Sequence, residues 1–295
     1  MKIKNKMNQA ISFVFFGTGA LAESVLAELV RNGYVPKLIV TKPDAPQGRH
    51  MEMKSPNIKV WADMKEIPVL QPEILDTEFS HQLSAISYQL FIVASYGKII
   101  PKEILEIPKH GVLNVHPSLL PKYRGASPIE SALLAGETET GVTIIKIDEE
   151  MDHGPILVQT AFTIDREATA RTLEVSCGQI GGELLTKVIP SYIDGTLIPK
   201  EQNHSESTTC KKIDKSMGEI KLTDSAESVR TKYRALTPWP GIYFFISHGE
   251  KQTRIKVTEV NLTLQSNTVE EIITTVVPEG KHEMSWGDFV HGYIK

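Results

Sequence analysis

Asn114 and His116 stand two residues apart at the end of an apolar run, GVLNVH, and Pro117 follows at once. In a strand, residues i and i+2 share a face. Both side chains therefore project together from the strand end, where Pro117 stops the ladder because it has no N–H to donate. A neutral amide donor beside a titratable imidazole suits acyl transfer: the amide holds a developing oxyanion while the imidazole moves a proton. The same pair also fits a plainer role, as strand-end polar groups bonded to a nearby loop. Asp152 is the third residue of interest. It follows the strand-like GVTIIKID within the acidic turn of EEMDHGPIL, and in a parallel sheet that turn lies at the edge where GVLNVH ends. A carboxylate there would orient the imidazole and balance its charge. His153 comes next, but in an extended segment it points away from the side of Asp152.

Other chemistries fit less well. Gly17-Thr18-Gly19-Ala20-Leu21-Ala22 matches the G-x-G-x-x-[GA] dinucleotide fingerprint between a strand and a helix. The acidic residue that should hold a ribose belongs at the end of the second strand, where Thr41 and Lys42 stand before Asp44. A tight turn that binds no dinucleotide is the expectation. No pair of His residues has zinc-site spacing, so no metal is expected, and there is no G-x-S-x-G elbow of a serine hydrolase.

The elements that must position these residues alternate. ISFVFFG reads as a buried strand and GALAESVLAELVRNG as an amphipathic helix. VPKLIVTKPD, IPVLQP, YQLFIVASYG, VLNVH and GVTIIKID read as further strands, with helices near NIKVWADM, FSHQLSAI and residues 129–134. Such alternation implies a mostly parallel sheet covered on both faces, with ligands beyond the carboxyl ends of its strands. PILVQTAFTI reads as an added antiparallel strand and TARTLEVSCGQIGGELLTKVIPSYIDG as a closing helix. KEQNHSESTTC, residues 200–210, is polar and without apolar periodicity, and reads as a linker. After it come one helix candidate, SAESVRTKYRAL, and short alternating runs, GIYFFISHG, TRIKVTEVNLTL and EEIITTVV, which suit a small antiparallel barrel or sheet. The stretch PDAPQGRHMEMKSP after the second strand is too long for a simple connection. Its Gly, Pro and mixed charge suggest disorder.

Composition sets outer limits. The chain has 295 residues, 41% hydrophobic and 23% charged, with a net charge of -4. That is ordinary for a soluble globular protein with one large and one smaller domain, and it gives no general nucleic-acid signature. Residues 200–295 carry 13 Lys/Arg against 13 Asp/Glu, so the negative balance resides in residues 1–199. No apolar run reaches transmembrane length, and the basic MKIKNKMNQ lacks the hydrophobic core and cleavage site of a signal peptide. Cys177 and Cys210 are isolated, which fits a reduced cytoplasm. The sequons at Asn203 and Asn261 then read as chance matches.

The run LNVHPSLLPKYRGASPI, with ASYGKIIP before it and GVTIIKIDEEMDHGPIL after it, resembles the formyltransferase family that uses 10-formyltetrahydrofolate. Three motifs in order at the right separations make the likeness specific. It runs almost end to end. FFGT opens the domain, and PDAPQGR resembles the tRNA-contacting insertion loop of the family branch that acts on initiator methionyl-tRNA. RALTPWPG and PEGKHEMSWGDFVHGY resemble the start and close of that branch's C-terminal barrel. The resemblance implies a Rossmann-like, mostly parallel α/β formyltransferase domain (1–199), a linker (200–210) and a small OB-like β-barrel domain that binds tRNA (211–295). It places the catalytic trio on Asn114, His116 and Asp152. Folate contacts fall on Ser118, Leu119, Leu120 and Pro121 of SLLP, and on Tyr96, Ile99 and Ile100 of ASYGKII.

The implied co-substrate is 10-formyltetrahydrofolate and the implied acceptor initiator methionyl-tRNA, in a cytoplasmic monomer that needs no metal. A small amine, such as an amino sugar nucleotide, is the alternative acceptor. Candidate tRNA contacts are Arg49 and Lys54 in the insertion loop and Lys211 and Lys212 after the linker, with Lys215, Arg230, Lys232 and Arg234 available to extend a basic face. Two departures from the family stand out. The insertion loop is weakly basic, and the segment between VTEVNL and PEGKHEM is trimmed.

Overall fold

β1 (Phe13–Gly17) is buried at every position, the pattern of a strand covered on both faces. In the computed structural model, which describes residues 11–47, 51–248 and 251–294, it leads into α1 (Gly19–Arg31), β2 (Leu38–Val40), β3 (Ala45–Gln47) and β4 (Glu52–Lys54). Next come α2 (Asn57–Met64), β5 (Val69–Leu70), α3 (Thr77–Ser84), β6 (Leu90–Ala94), α4 (Lys102–Leu105) and β7 (Val112–His116). β8 (Arg124–Gly125), α5 (Pro128–Leu134), β9 (Glu139–Lys146), β10 (Ile156–Thr163) and the long α6 (Ala170–Ile193) follow. After β11 (Thr209–Cys210) the chain forms α7 (Ala226–Leu236), β12 (Ile242–His248), β13 (Lys251–Val260), α8 (Val269–Ile272), β14 (Ile273–Pro278), β15 (Met284–Ser285) and α9 (Trp286–Tyr293).

The contacts divide the chain into two units. Unit 1 comprises Met1–Arg124, Gly141–Ala161 and Glu174–Thr209, and unit 2 comprises Gly125–Thr140, Phe162–Leu173 and Cys210–Lys295. The main sheet has seven strands in the order β10-β9-β7-β6-β1-β2-β5. β1 pairs in parallel with β2 and β6, β2 with β5, and β6 with β7. On one face Phe16, Phe91, Val93 and Tyr96 pack with Phe79 and Leu83 of α3 and Ile104 of α4. On the other, Gly181 of α6 faces Val115 of β7, and Gly178 faces Leu21 of α1. Gly17 closes the first turn: a Cβ there would lie 2.6 Å from the Phe15 ring and 3.0 Å from the Ala94 carbonyl oxygen. Among the described residues, no helix is long and apolar enough to cross a membrane.

β9 departs from the parallel expectation. It pairs antiparallel with β7, with Asn114 opposite Ile145 and His116 opposite Thr143. The reason lies in α5, the helix between these two strands. It packs on α7 within unit 2, and without a crossover the chain re-enters the sheet in reverse. The turn carrying Asp152 therefore leaves the sheet beside Leu113, not beside the end of β7.

The long loop after β2, expected to be disordered, is paired as far as it is described. β3 and β4 form a hairpin with Ala45 opposite Lys54 and Gln47 opposite Glu52. Asp44 anchors it by accepting from Gln71 Nε2 (2.7 Å), Ser55 Oγ (2.9 Å) and Lys59 Nζ (3.3 Å). The bonds from Gln71 and then Ser55 hold the Asp44 carboxyl below the usual carboxylate range.

Unit 2 carries a four-stranded antiparallel sheet in the order β12-β13-β14-β15. Phe244 pairs opposite Ile255, and Val257 opposite Val276. The closing segment ends in α9, whose Phe289 is buried against Phe244 at a ring separation of 6.0 Å. Ser225 caps α7 by accepting from the Ser228 N–H.

Candidate active site

β7 presents Leu113 and Val115 to the core and Asn114 and His116 together on the opposite side, as the two-residue period requires. His116 is 3% exposed. Its Nε2 lies 2.9 Å from the carbonyl oxygen of Tyr123, a residue in the left-handed region at φ 61°. A carbonyl only accepts, so Nε2 carries the hydrogen and donates it. In the neutral ring the lone pair is then on Nδ1, and Nδ1 faces Asp152 Oδ1 at 3.5 Å. Asn114 Nδ2 donates to the same carboxylate oxygen at 3.3 Å. Both distances are long for hydrogen bonds. They leave Nδ1 as a free base next to a negative charge, and Asn114 with a second N–H for a ligand. Geometry thus converges the three residues singled out by type and spacing on one oxygen.

Asp152 reaches this point by a sharp reversal. Its φ is 51°, a conformation that costs a non-glycine residue about 1–3 kcal/mol and persists only where its surroundings enforce it. Two features do so. Gly154 is pressed against the carbonyl oxygen of Lys146, where any Cβ would collide. Gln202 Nε2 donates to the Asp152 carbonyl oxygen at 2.9 Å. His153 is engaged elsewhere, bonded to Asp148 Oδ2 at 2.7 Å and stacked on His204 at 4.0 Å.

The SLLP turn is locked by residues that sequence reading did not single out. Thr143 Oγ1 donates to Ser118 O at 2.6 Å and accepts from the Leu120 N–H at 3.3 Å. Gln159 Nε2 donates to Leu120 O at 2.9 Å and Thr143 Oγ1 at 2.7 Å. Ser118 is buried and donates its hydroxyl to Lys122 O. Leu120 is buried as well, while Leu119 and Pro121 are half-buried. Of the ASYGKII residues, Tyr96 and Ile100 enter the core and Ile99 is 80% exposed, so these three do not share one surface. Tyr96 packs edge-on against Phe16. Burial pushes its phenol up to about 12, and its hydroxyl has no hydrogen-bond partner among the described residues.

The candidate RNA-contacting cations belong to different parts of the chain. Arg49 lies outside the described residues. Lys54 is exposed on β4 in unit 1, and Lys211 and Lys212 are exposed in unit 2. Three others are tied to carbonyl oxygens within unit 2: Arg230 to Leu264 and Ser266, Lys232 to Glu219, and Arg234 to Ala168 and Asp165. At the Gly17 turn, Thr18 and Thr41 bond through their hydroxyls at 3.0 Å, and Thr41 is buried where a dinucleotide fold would place its acidic residue. A groove of about 480 Å³ between α1 and α2, lined by Glu23, Ala27, Trp61 and Met64, shares no residue with the Asn114 cluster. Among the described residues, no group of three His, Cys, Asp or Glu side chains could hold a metal ion.

Two further residues of the site, besides Thr143 and Gln159, carry no signal in the sequence. Arg124, inside PKYRG, donates to the side-chain oxygen of Gln202 at 2.6 Å, and Gln202, within the polar stretch 200–210, holds the Asp152 carbonyl. Neither shows periodicity or motif spacing that would mark it.

The chain matches the formyl transferase family model over residues 10–189 and the formyl transferase C-terminal domain over residues 212–284. It is 39% identical over 298 residues to the methionyl-tRNA formyltransferase of Thermodesulfovibrio yellowstonii and 37% identical over 297 residues to that of Koribacter versatilis, each match covering 95% of both chains. Among solved structures it shares the fold of methionyl-tRNA formyltransferase from Clostridium thermocellum, with a TM-score of 0.60 and 15% identity over 93% of this chain and 99% of that one. An N-formyltransferase from Helicobacter canadensis, in complex with folinic acid and dTDP-3-aminofucose, aligns with a TM-score of 0.59 and 22% identity over 84% of this chain and 89% of that one. With both domain models matched in order and such identity sustained along nearly its whole length, the chain belongs to the methionyl-tRNA formyltransferases of the formyl transferase family.

Proposed function

We propose that the chain transfers the formyl group of 10-formyltetrahydrofolate to the amino group of methionine esterified to initiator tRNA, with Asn114, His116 and Asp152 acting on the reacting atoms. The observation that carries this is the approach of Asn114 Nδ2 and His116 Nδ1 to a single Asp152 oxygen. The amine nitrogen attacks the formyl carbon, and its carbonyl oxygen becomes an oxyanion that accepts from the second N–H of Asn114. His116 takes the amine proton on Nδ1, and the charged ring then faces the Asp152 carboxylate. As the bond from carbon to N10 breaks, His116 returns the proton to N10. The products are the formylated amine and tetrahydrofolate, with no covalent enzyme intermediate.

The donor set suits a folate. The Tyr96 hydroxyl is a buried polar group still lacking a partner, and it follows the carboxyl end of β6, where ligands of parallel sheets collect. Ser118–Pro121 would support the co-substrate from the end of β7, with Leu119 and Pro121 at its surface. Thr143→Val tests that support. It leaves the buried Leu120 N–H and Ser118 carbonyl short of a partner, at a cost of about 1–3 kcal/mol per buried group. The expected results are a lower unfolding midpoint and a higher KM for 10-formyltetrahydrofolate, with the KM for the amine unchanged.

The tRNA acceptor is supported by relatives of that name that align through the C-terminal part, whereas three sugar N-formyltransferase structures that share the fold are 16–22% identical. Residues 1–199 then form the catalytic domain, 200–210 the connection and 211–295 the tRNA-binding domain, with Arg49, Lys54, Lys211 and Lys212 meeting phosphates. The same reading takes the working unit to be a monomer in the cytoplasm, a state that the sedimentation of the pure protein tests. The test offers the enzyme 10-formyltetrahydrofolate with charged initiator methionyl-tRNA and, separately, a panel of small amines. Transfer to the methionyl-tRNA alone is expected. Transfer to an amino sugar nucleotide in its place would overturn the acceptor while keeping the chemistry.

A further inference from the structure

We infer that Gln202 is a positioning residue for the transfer reaction, holding the turn that carries Asp152 in the conformation from which its carboxylate meets Asn114 and His116; this rests on the role of Asp152 proposed above. Gln202 lies between the stretches matched by the two family models. It is 6% exposed although the residues on either side of it are exposed. Its side-chain oxygen accepts from Arg124, at 2.6 Å from Nη2 and 3.2 Å from Nε. Its Nε2 donates to the carbonyl oxygens of Asp152 at 2.9 Å and Gly154 at 2.8 Å.

The orientation of this amide is forced. A guanidinium only donates, so the Gln202 oxygen must face Arg124, and the NH2 group is left to face two carbonyls that only accept. The two carbonyls bracket the reversal: Asp152 is left-handed, and Gly154 is jammed against Lys146. The same segment also fixes the other side of the catalytic pair. Tyr123, whose carbonyl holds His116 Nε2, has its N–H on Thr208 Oγ1 at 2.9 Å, and the Arg124 N–H donates to Thr208 O at 2.8 Å. Residues 202–208 thus register Asp152 and the carbonyl that orients His116 to one piece of chain. His204 Nδ1, accepting from Arg124 Nη2 at 2.9 Å, completes the grip on the guanidinium.

Gln202→Glu keeps the size and the acceptor for Arg124 but turns an oxygen toward both carbonyls. The expected effect is a fall in kcat of about 10²-fold, the scale of a misplaced catalytic group, with KM for both substrates within about two-fold of wild type and circular dichroism unchanged. Gln202→Met, similar in volume without hydrogen bonds, is expected to do the same and serves if the Glu variant does not fold. In an Asp152→Ala background, neither change should lower the single-turnover rate further, because both act through Asp152. Folded Gln202 variants with wild-type kcat would overturn the inference. So would an undiminished effect in the Asp152→Ala background, which would place Gln202 on another route. If Asp152→Ala itself keeps wild-type kcat, the proposed role of Asp152 fails and the Gln202 inference falls with it. An inactive Asp152→Ala beside a fully active Gln202→Glu removes Gln202 alone.

Discussion

His116→Ala is expected to lower kcat for formyl transfer by about 10³-fold, within the range that positioned acid–base groups contribute. The KM for either substrate should change little, since the imidazole meets the substrate only through the proton it moves. In the proposed mechanism the lone pair on Nδ1 is the base, because Nε2–H is held by the Tyr123 carbonyl. Removing the ring takes away both the acceptor for the amine proton and the donor for N10, so formation and collapse of the tetrahedral species slow together. The variant also leaves the Tyr123 carbonyl without this donor, and a small loss of stability of about 1 kcal/mol should accompany the kinetic one. Single-turnover rates at saturating co-substrate, read beside an unfolding curve, separate the two effects. A folded His116→Ala with unchanged turnover would falsify the assignment of the base.

Asn114→Asp is the second large effect. The change is nearly isosteric, so packing on β7 is kept, but the N–H proposed to meet the oxyanion is replaced by an oxygen. Loss of one such donor costs about 3–4 kcal/mol of transition-state stabilisation, or 10²–10³ in kcat. The new carboxylate also stands where Asn114 Nδ2 lay, 3.3 Å from Asp152 Oδ1. Two negative charges there repel each other and the developing oxyanion alike. Asn114→Ala removes the donor without the charge, and it should therefore fall less far than Asn114→Asp. Equal rates for the two variants would mean that charge at this position does not reach the reacting centre. A rate equal to wild type in Asn114→Ala would remove the oxyanion role altogether.

The sequence by itself determined the strands and the pairing of chemistry on one of them. FVFFG, LFIVA and VLNVH are continuous or alternating apolar runs, and local side-chain periodicity is enough to make them strands and to set Asn114 and His116 on one face. The family motifs marked Asp152 as the third member. How Asp152 arrives was decided only in the tertiary structure. The antiparallel entry of β9 follows from where α5 finds its packing partner, which no window of local sequence records. The left-handed turn at Asp152 is held by Gln202, 50 residues away, in a stretch whose polar composition reads as a linker.

The same physical reason accounts for Tyr96 and Ile99. They are neighbours in one motif, yet one is sealed against Phe16 and the other is exposed, because the burial of a loop residue is set by the elements that fold over it. It also accounts for the basic residues of α7, which count as a positive face in sequence, although Arg230, Lys232 and Arg234 bond to carbonyl oxygens of their own unit. Residue type and short spacing are local properties and survive in the linear chain. Convergence of side chains from distant segments depends on which surfaces bury each other, and that is settled only when the whole chain packs.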